Sequence, residues 1–542
     1  MAAQSTPLAV APPFASRRLR RWLRACLPTF PDVMFVALLF WLFAAGSHGW
    51  LGLLADGDAG WHIRTGEYIL DHGKIPAVDL FSFSKPGEPW FAWEWGADVI
   101  FALLFRGGGF KLYVLFAGVI ICLAICLVLL RILQDGVNLF VALAVTALTA
   151  GGASVHYLAR PHIFTILLMA AALWLLDRDR RAPTPWVWIL IPVTVVWTNL
   201  HGGFLALIAC TGLLAVGSAI EGAMAARSFK AAWFRGRRYA LLTAACGAAT
   251  LANPYGIQLH VHVARYLTSD WIRSTIGEFQ SPSFRAENVM QYEALLVAGL
   301  LAAGSLLAQR KVGEALLILF WAHMSLSSAR HIPLYLLVAA PWVAAEANRY
   351  WDRWTAGAGR TSIAGILRQV AADVSAGQRR LGVFPVLVVL VIFLADHSSR
   401  WPADFPSARF PVKAADHHPE LIRNARLLTT DQWADYLIFR FYPHHRVFVD
   451  GRSDFYGREI GQQYLDLWSA RHNWQHLIEK WAFNAVLIPV DWPLASVLKR
   501  ESQWRVVYDD QFAILFVRHH QGIAGGRDVA ALRWPQTPNE NP

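Results

Sequence analysis

Long uncharged apolar runs alternate with short polar stretches from about residue 33 to about residue 396. Leu112 to Leu130, for instance, contains no charged residue. A lipid core of about 30 Å needs roughly 20 apolar residues per spanning helix. Backbone groups in lipid must bond within their own segment, so such runs predict helices. The spans fall near 33–54, 110–133, 138–155, 161–177, 186–199, 203–223, 239–252, 291–308, 314–328, 332–346 and 383–396. This pattern predicts a polytopic α-helical membrane protein with about eleven transmembrane helices.

Beyond residue 398 the pattern shortens. Leu427–Thr430, Val447–Val449, Ala485–Ile488 and Phe512–Val517 read as strands, and Gln462–Trp468 and Asn473–Trp481 as helices between them. The expected organisation is a basic N-terminus (1–30), a transmembrane domain (31–397) with its first outside loop at 55–109, a small extracytoplasmic α/β domain (398–520) and a disordered tail (521–542).

The chain has 542 residues, 55% hydrophobic and 16% charged, against about 25% charged in soluble domains. The net charge of +11 comes from arginines placed between apolar runs, so a positive-inside bias explains it and nucleic-acid binding does not. Alternate loops carry Arg178, Arg180 and Arg181; Arg227, Lys230, Arg235, Arg237 and Arg238; Arg310 and Lys311; and Arg349, Arg353, Arg360, Arg368, Arg379 and Arg380. One orientation satisfies them all: N-terminus cytoplasmic, residue 398 onward outside. Arg17 to Arg24 precede a first helix without a cleavage pattern, so that helix is expected to be retained. Cys26, Cys122, Cys126, Cys210 and Cys246 sit in or beside apolar runs and read as small apolar side chains.

The outside segments carry the unusual polar residues: Asp56-Gly57-Asp58, His62, Arg64 and Glu94 in the first loop, then Arg160-Pro161-His162, Asn199 to Gly203, Asn253 to Gly256, Glu278 and Arg330-His331. Any one could be a solvated helix cap; their recurrence at several helix junctions on one face points to a site. Asp58, assisted by Asp56 or Glu94, could take a proton from an acceptor hydroxyl. Asp56, Asp58 and His62 could instead hold a divalent cation such as Mg or Mn. Arg64, Arg160 and Arg330, with His162, His201 and His331 beside them, could hold donor phosphate oxygens.

The segment Asp58-Ala59-Gly60-Trp61-His62-Ile63-Arg64 to Asp71-His72-Gly73 resembles the first-loop motif of the GT-C glycosyltransferase superfamily, oligosaccharyltransferase catalytic subunits in particular. Lys74-Ile75-Pro76 to Glu94-Trp95 is similar to a bacterial branch of GT-C-like membrane proteins. The resemblance implies a GT-C-like fold in a bacterial inner membrane and a polyprenyl-phosphate- or diphosphate-linked sugar donor. It also implies a lipid, glycan or protein acceptor, an extracytoplasmic site and inversion at the anomeric carbon. Asp58 matches the acceptor-activating position, and Asp56 and Glu94 the accompanying acidic positions. Asp431-Gln432-Trp433-Ala434-Asp435-Tyr436 is similar to the Trp-Trp-Asp-Tyr-Gly motif of that family. Ala434 and Leu437 replace its second Trp and its Gly. Trp433 and Tyr436 can equally be packing residues, and Asp450 to Asp454 a turn with an ion pair. Two other readings fit the composition: a lipid-linked glycan flippase, and a glycan polymerase or ligase with residues 253–290 as its large outside loop.

Overall fold

The computed structural model describes residues 28–45, 49–286, 288–375, 380–395 and 401–519. The basic stretch Arg17 to Arg24, Cys26, Arg379 and the segment from Gln521 lie outside the described residues.

Helix α1 (Phe30–Phe40) starts at a capping box: the Thr29 hydroxyl accepts from Asp32 N and the Asp32 carboxylate accepts from Thr29 N. Asp32 also accepts from Gly382 N at 2.7 Å, tying this end to the chain around residue 382. Then follow α2 (Ala59–His72), α3 (Trp95–Gln134), α4 (Leu139–Ala153), α5 (His162–Arg181), α6 (Leu190–Leu200), α7 (Leu205–Ala226) and α8 (Phe229–Ala249). A covering segment carries α9 (Ile257–Thr268) and α10 (Asp270–Thr275). After it come α11 (Val289–Ala308), α12 (Val312–Ser327), α13 (Ile332–Ala356), α14 (Ile363–Ser375) and α15 (Phe384–Ala395).

Among the described residues every expected span overlaps a helix, but fewer are full-length apolar crossings. Among the described residues four helical stretches are long and apolar enough to cross a membrane: Trp95–Gln134, Leu139–His156, Gly202–Ala226 and Val289–Ala308. The others are shorter or, like α5, end in charges (Asp177, Arg178, Asp179, Arg180, Arg181). Helix α3 begins at Trp95, and the glycines at 107–109 produce one break, with Gly109 at φ +60, after which the helix resumes. Two polar belts form at opposite helix ends. One holds the Arg131–Asp177 and Arg180–Glu221–Glu314 ion pairs. The other holds the arginines and histidines described below.

The C-terminal part is α/β. Strands β1 (Leu427–Leu428), β2 (Ala485–Pro489), β3 (Trp504–Asp509) and β4 (Ala513–Arg518) form a sheet in the order β1-β2-β4-β3. The β1–β2 pair is parallel and the rest antiparallel. Val447 to Val449 does not join this sheet. Val447 instead exchanges backbone hydrogen bonds with Phe81 and Phe83 of the first loop, both at 2.9 Å. Strand β3 has no counterpart in the sequence reading, because Arg505 and Asp509 interrupt its apolar run. Helix α16 (Asp431–Phe441), capped by Thr430, packs on α2. The contact is backbone to backbone at Gly60, where a Cβ would come within 2.2 Å of the Asp435 carbonyl. One apolar core therefore runs from the membrane helices through Phe101, Phe110 and Phe439 into Tyr436 and Leu437. Cys122, Cys126, Cys210 and Cys246 are buried.

Candidate active site

Asp56 and Asp58 precede α2, and Arg160 lies in the turn before α5. The Arg160 guanidinium meets Asp56 Oδ2 at 2.8 Å and Asp58 Oδ2 at 2.7 Å. Asp58 is buried, and its Oδ1 has no hydrogen-bond partner among the described residues. That oxygen sits against Gly451, facing Asp435, whose Oδ1 accepts from Gly451 N at 3.0 Å. Burial, against the pull of Arg160, pushes the Asp58 carboxyl up to about 7. Burial and the neighbouring Asp58 also raise Asp435 far above the usual carboxylate range.

Glu94 caps α3 and faces the other way. It lines a small recess with Arg160, His162, His201, Glu278 and Arg330. Burial outweighs the attraction of Arg160 and Arg330 and lifts the Glu94 carboxyl to about 8. His201 approaches Glu94 Oε1 with Nε2 at 3.5 Å. The tautomer follows from the other nitrogen. His201 Nδ1 accepts from Gly203 N at 3.0 Å and lies 2.8 Å from the Thr165 hydroxyl, which itself accepts from Trp197 Nε1. The His201 proton therefore sits on Nε2, aimed at Glu94.

The recess opens into a cavity of about 950 Å³. Its polar end carries His156, His162, His201, Arg330 and His331, and its walls carry Ile166, Leu205, Ala209, Phe320, Met324 and Leu334. Arg330 is held over the Phe279 ring at 4.5 Å, and its Nη1 has no hydrogen-bond partner among the described residues. Glu278 sits between Arg330 and Arg160, at 3.6 and 3.9 Å. Burial would raise its carboxyl, but the two arginines overcome this and hold it at about 2. Burial and Arg330 push His331 down to about 4, so this imidazole is neutral. The cavity thus offers the half-buried Arg330 guanidinium, whose Nη1 faces Glu278, together with neutral imidazoles and apolar side chains.

The structure gathers Glu94, Arg160, His162, His201, Arg330 and His331, which come from four separate helix junctions. It takes Arg64 away from them. The Arg64 guanidinium bonds to the Phe439 carbonyl and to Glu67, and stacks on Phe439 at 5.0 Å, so it fastens α2 to α16. Asp56, Asp58 and His62 do not converge either. The two aspartates spend their Oδ2 atoms on Arg160, and His62 faces Asp98. The donor set expected for a divalent cation is thus committed elsewhere, and among the described residues no three Asp, Glu, His or Cys side chains are grouped to hold a metal ion. Trp433 and Tyr436 are buried packing residues, Trp433 donating to the Arg409 carbonyl. Asp450 to Asp454 is more than a turn. Arg452 is buried, paired with Asp450 and Asp79, and flanked by the Phe81, Trp90 and Phe455 rings, joining the first loop to the C-terminal part. Sequence reasoning missed His156, Thr165 and Asp98. Asp98 was readable as Glu94 plus four on a helix, had the helix start been placed at Trp95.

No protein-family model matches the chain, and no curated protein matches it in sequence. Solved structures do. The Archaeoglobus fulgidus oligosaccharyltransferase in its apo form superposes with a TM-score of 0.52 at 10% identity, covering 91% of this chain and 75% of that one. The AglB oligosaccharyltransferase of the same organism, in complex with an inhibitory peptide and a dolichol-phosphate, gives a TM-score of 0.53 at 10% identity, covering 93% and 75%. The chain therefore has the fold of the archaeal oligosaccharyltransferases.

Proposed function

We propose that this chain is an integral-membrane glycosyltransferase that moves a sugar from a polyprenyl-phosphate- or diphosphate-linked donor to a lipid, glycan or protein acceptor. The observation that carries the reading is a cavity whose lining combines the Arg330 guanidinium and several histidines with the apolar Ile166, Leu205, Ala209, Phe320 and Leu334, Asp270 and Arg273 adding further charge. A charged phosphate seats on Arg330, and the His201 and His331 imidazoles surround it as neutral groups. The prenyl chain lies along Leu205, Ala209, Phe320 and Leu334. The dolichol-phosphate bound to the archaeal AglB is a ligand of the same chemical kind.

Glu94 is the carboxyl placed to take the acceptor proton, because it lines the recess while Asp58 is sealed behind Arg160. As the acceptor oxygen attacks the anomeric carbon, the bond to the phosphate oxygen breaks from the opposite face and the configuration inverts. The phosphate leaves with the electron pair, and Arg330 stabilises that charge. Asp58 holds Arg160 in position, and no step is assigned to a metal ion. The arginine-rich loops support an orientation with the Glu94 side outside a bacterial inner membrane.

The test is transfer or hydrolysis of an undecaprenyl-phosphate-linked hexose in proteoliposomes, native protein against Arg330→Gln. Losing a charge-assisted bond of about 1.5–3 kcal/mol should lower kcat/KM about tenfold or more. Equal kcat/KM in the two proteins would remove Arg330 from the donor site.

A further inference from the structure

A second row of titratable groups lies directly behind Glu94, on the crossing of α2 and α3. Glu94 and Asp98 are four residues apart at the start of α3; His62 and Gly66 are four apart on α2. The helices meet at Gly66, where a Cβ would come within 1.9 Å of the Asp98 carbonyl, so only glycine lets them come this close. That approach brings His62 Nδ1 to 2.5 Å from Asp98 Oδ1 and His62 Nε2 to 3.9 Å from Glu94 Oε2. His62 and Asp98 are each 1% exposed. The His62 ring is clamped by Trp61 at 3.6 Å and Phe101 at 6.2 Å. Asp98 Oδ2 has no hydrogen-bond partner among the described residues, so the His62 ring is its one polar contact there.

We propose that Asp98, His62 and Glu94 form a proton relay in which Asp98 is a positioning residue that fixes the His62 tautomer and His62 receives the acceptor's proton from Glu94. The inference rests on the transferase reading above. Asp98 accepts the His62 Nδ1–H, which leaves Nε2 bare and facing Glu94. The acceptor O–H bond breaks as an O–H bond forms on Glu94. The proton then passes from Glu94 to His62 Nε2, and the Glu94 carboxylate is restored. The resulting imidazolium lies between two carboxylates, Asp98 and Glu94, which stabilise it as a carboxylate stabilises the imidazolium of a hydrolase triad. Substrate closure has to shorten the 3.9 Å gap, as catalytic hydrogen bonds commonly tighten on substrate binding. Burial, with Arg160 and His201 adding to it, keeps the resting His62 neutral and weakly basic, so transfer from Glu94 is uphill and the imidazolium is a transient that the two carboxylates must stabilise. The other charged groups near the relay are Arg330, Asp58 and Asp454, all on the Glu94 side.

The experiment is ¹⁵N NMR of histidine-labelled full-length protein in nanodiscs, with the His62 signals assigned by their loss in His62→Gln. The expected native spectrum shows His62 protonated at Nδ1 and bare at Nε2. In Asp98→Leu, Nδ1 faces a methyl group and cannot remain a donor in a dry site, so the proton should move to Nε2. With an undecaprenyl-phosphate-linked hexose as donor, the same variant should lose about 100-fold in kcat at unchanged donor KM, the range of general acid–base effects. A native His62 protonated at Nε2, or a kcat left intact in Asp98→Leu, overturns the relay. A native protein that shows the Nδ1 tautomer but does not turn over the hexose donor would fault the donor reading instead. The two failures are therefore distinguishable.

Discussion

Replacing Arg160 by Met perturbs the site at its most heavily used cation. Its guanidinium contacts Asp56 at 2.8 Å, Asp58 at 2.7 Å and Glu278 at 3.9 Å. The side chain of Arg160 is 22% exposed, and those of the three carboxylates 15%, 7% and 21%. Without the guanidinium, Asp56 and Asp58 are left without their cation and with little water, while Glu278 keeps Arg330. Breaking a buried pair costs about 3–5 kcal/mol, and the residual exposure argues for the lower end. The sign of the pH dependence follows. The Asp58 carboxyl, already raised by burial and now without its cation, has a native pKa above its unfolded value of about 4, so the native variant binds more protons than the unfolded chain and loses stability as pH rises from there. The assay is unfolding in mixed detergent and SDS, at about pH 5 and about pH 8. The loss should be about 3 kcal/mol near pH 8 and smaller near pH 5. Adding Asp58→Asn to the variant should recover about 1 kcal/mol or more near pH 8. A loss below about 1 kcal/mol, or one equal at the two pH values, would refute the argument that Arg160 neutralises this cluster.

Further outcomes follow from the same geometry. Glu94 at about 8 must be ionised to accept a proton, so kcat/KM should rise with pH and level off above about 8; a flat profile from pH 6 to 9 would reject Glu94 as the base. Ala209→Phe places a ring in the apolar end of the cavity. It should raise KM for a long prenyl donor while leaving a short farnesyl-phosphate analogue unaffected, as compared in parallel kinetic series. Arg452→Met breaks the buried pairs with Asp79 and Asp450 and should cost about 3 kcal/mol. Amide exchange should then accelerate at residues 79–84 and 447–456 together; acceleration in one segment alone would contradict a shared junction.

Much of the scaffold was legible because lipid imposes a simple code: apolar runs became helices, and arginines marked their ends. The site residues Arg160, His201 and Arg330 were legible for the same reason, since charge beside an apolar run has few structural excuses. What the chain hides is pairing between distant segments. Arg64 carries the look of a phosphate ligand, yet its partner is the Phe439 carbonyl, some hundreds of residues away. Asp58 carries the family signal for a base, yet its free oxygen is sealed by Gly451 and Asp435. The glycines at 107–109 mimic a loop end, although α3 starts before them, and this obscured Asp98. Val447 to Val449 has strand composition but pairs with the first loop, because edge hydrogen bonds depend on what comes alongside.

The central claim is that the cavity between α5, α7, α12 and α13 receives a prenyl phosphate. The direct measurement is an electron cryomicroscopy structure of the full chain in nanodiscs containing undecaprenyl phosphate. The expected result is phosphate density within about 3 Å of the Arg330 guanidinium, next to His201, with the prenyl chain running along Leu205, Ala209 and Phe320. Phosphate density at any other site, with the cavity holding only bulk lipid or water, would contradict the account.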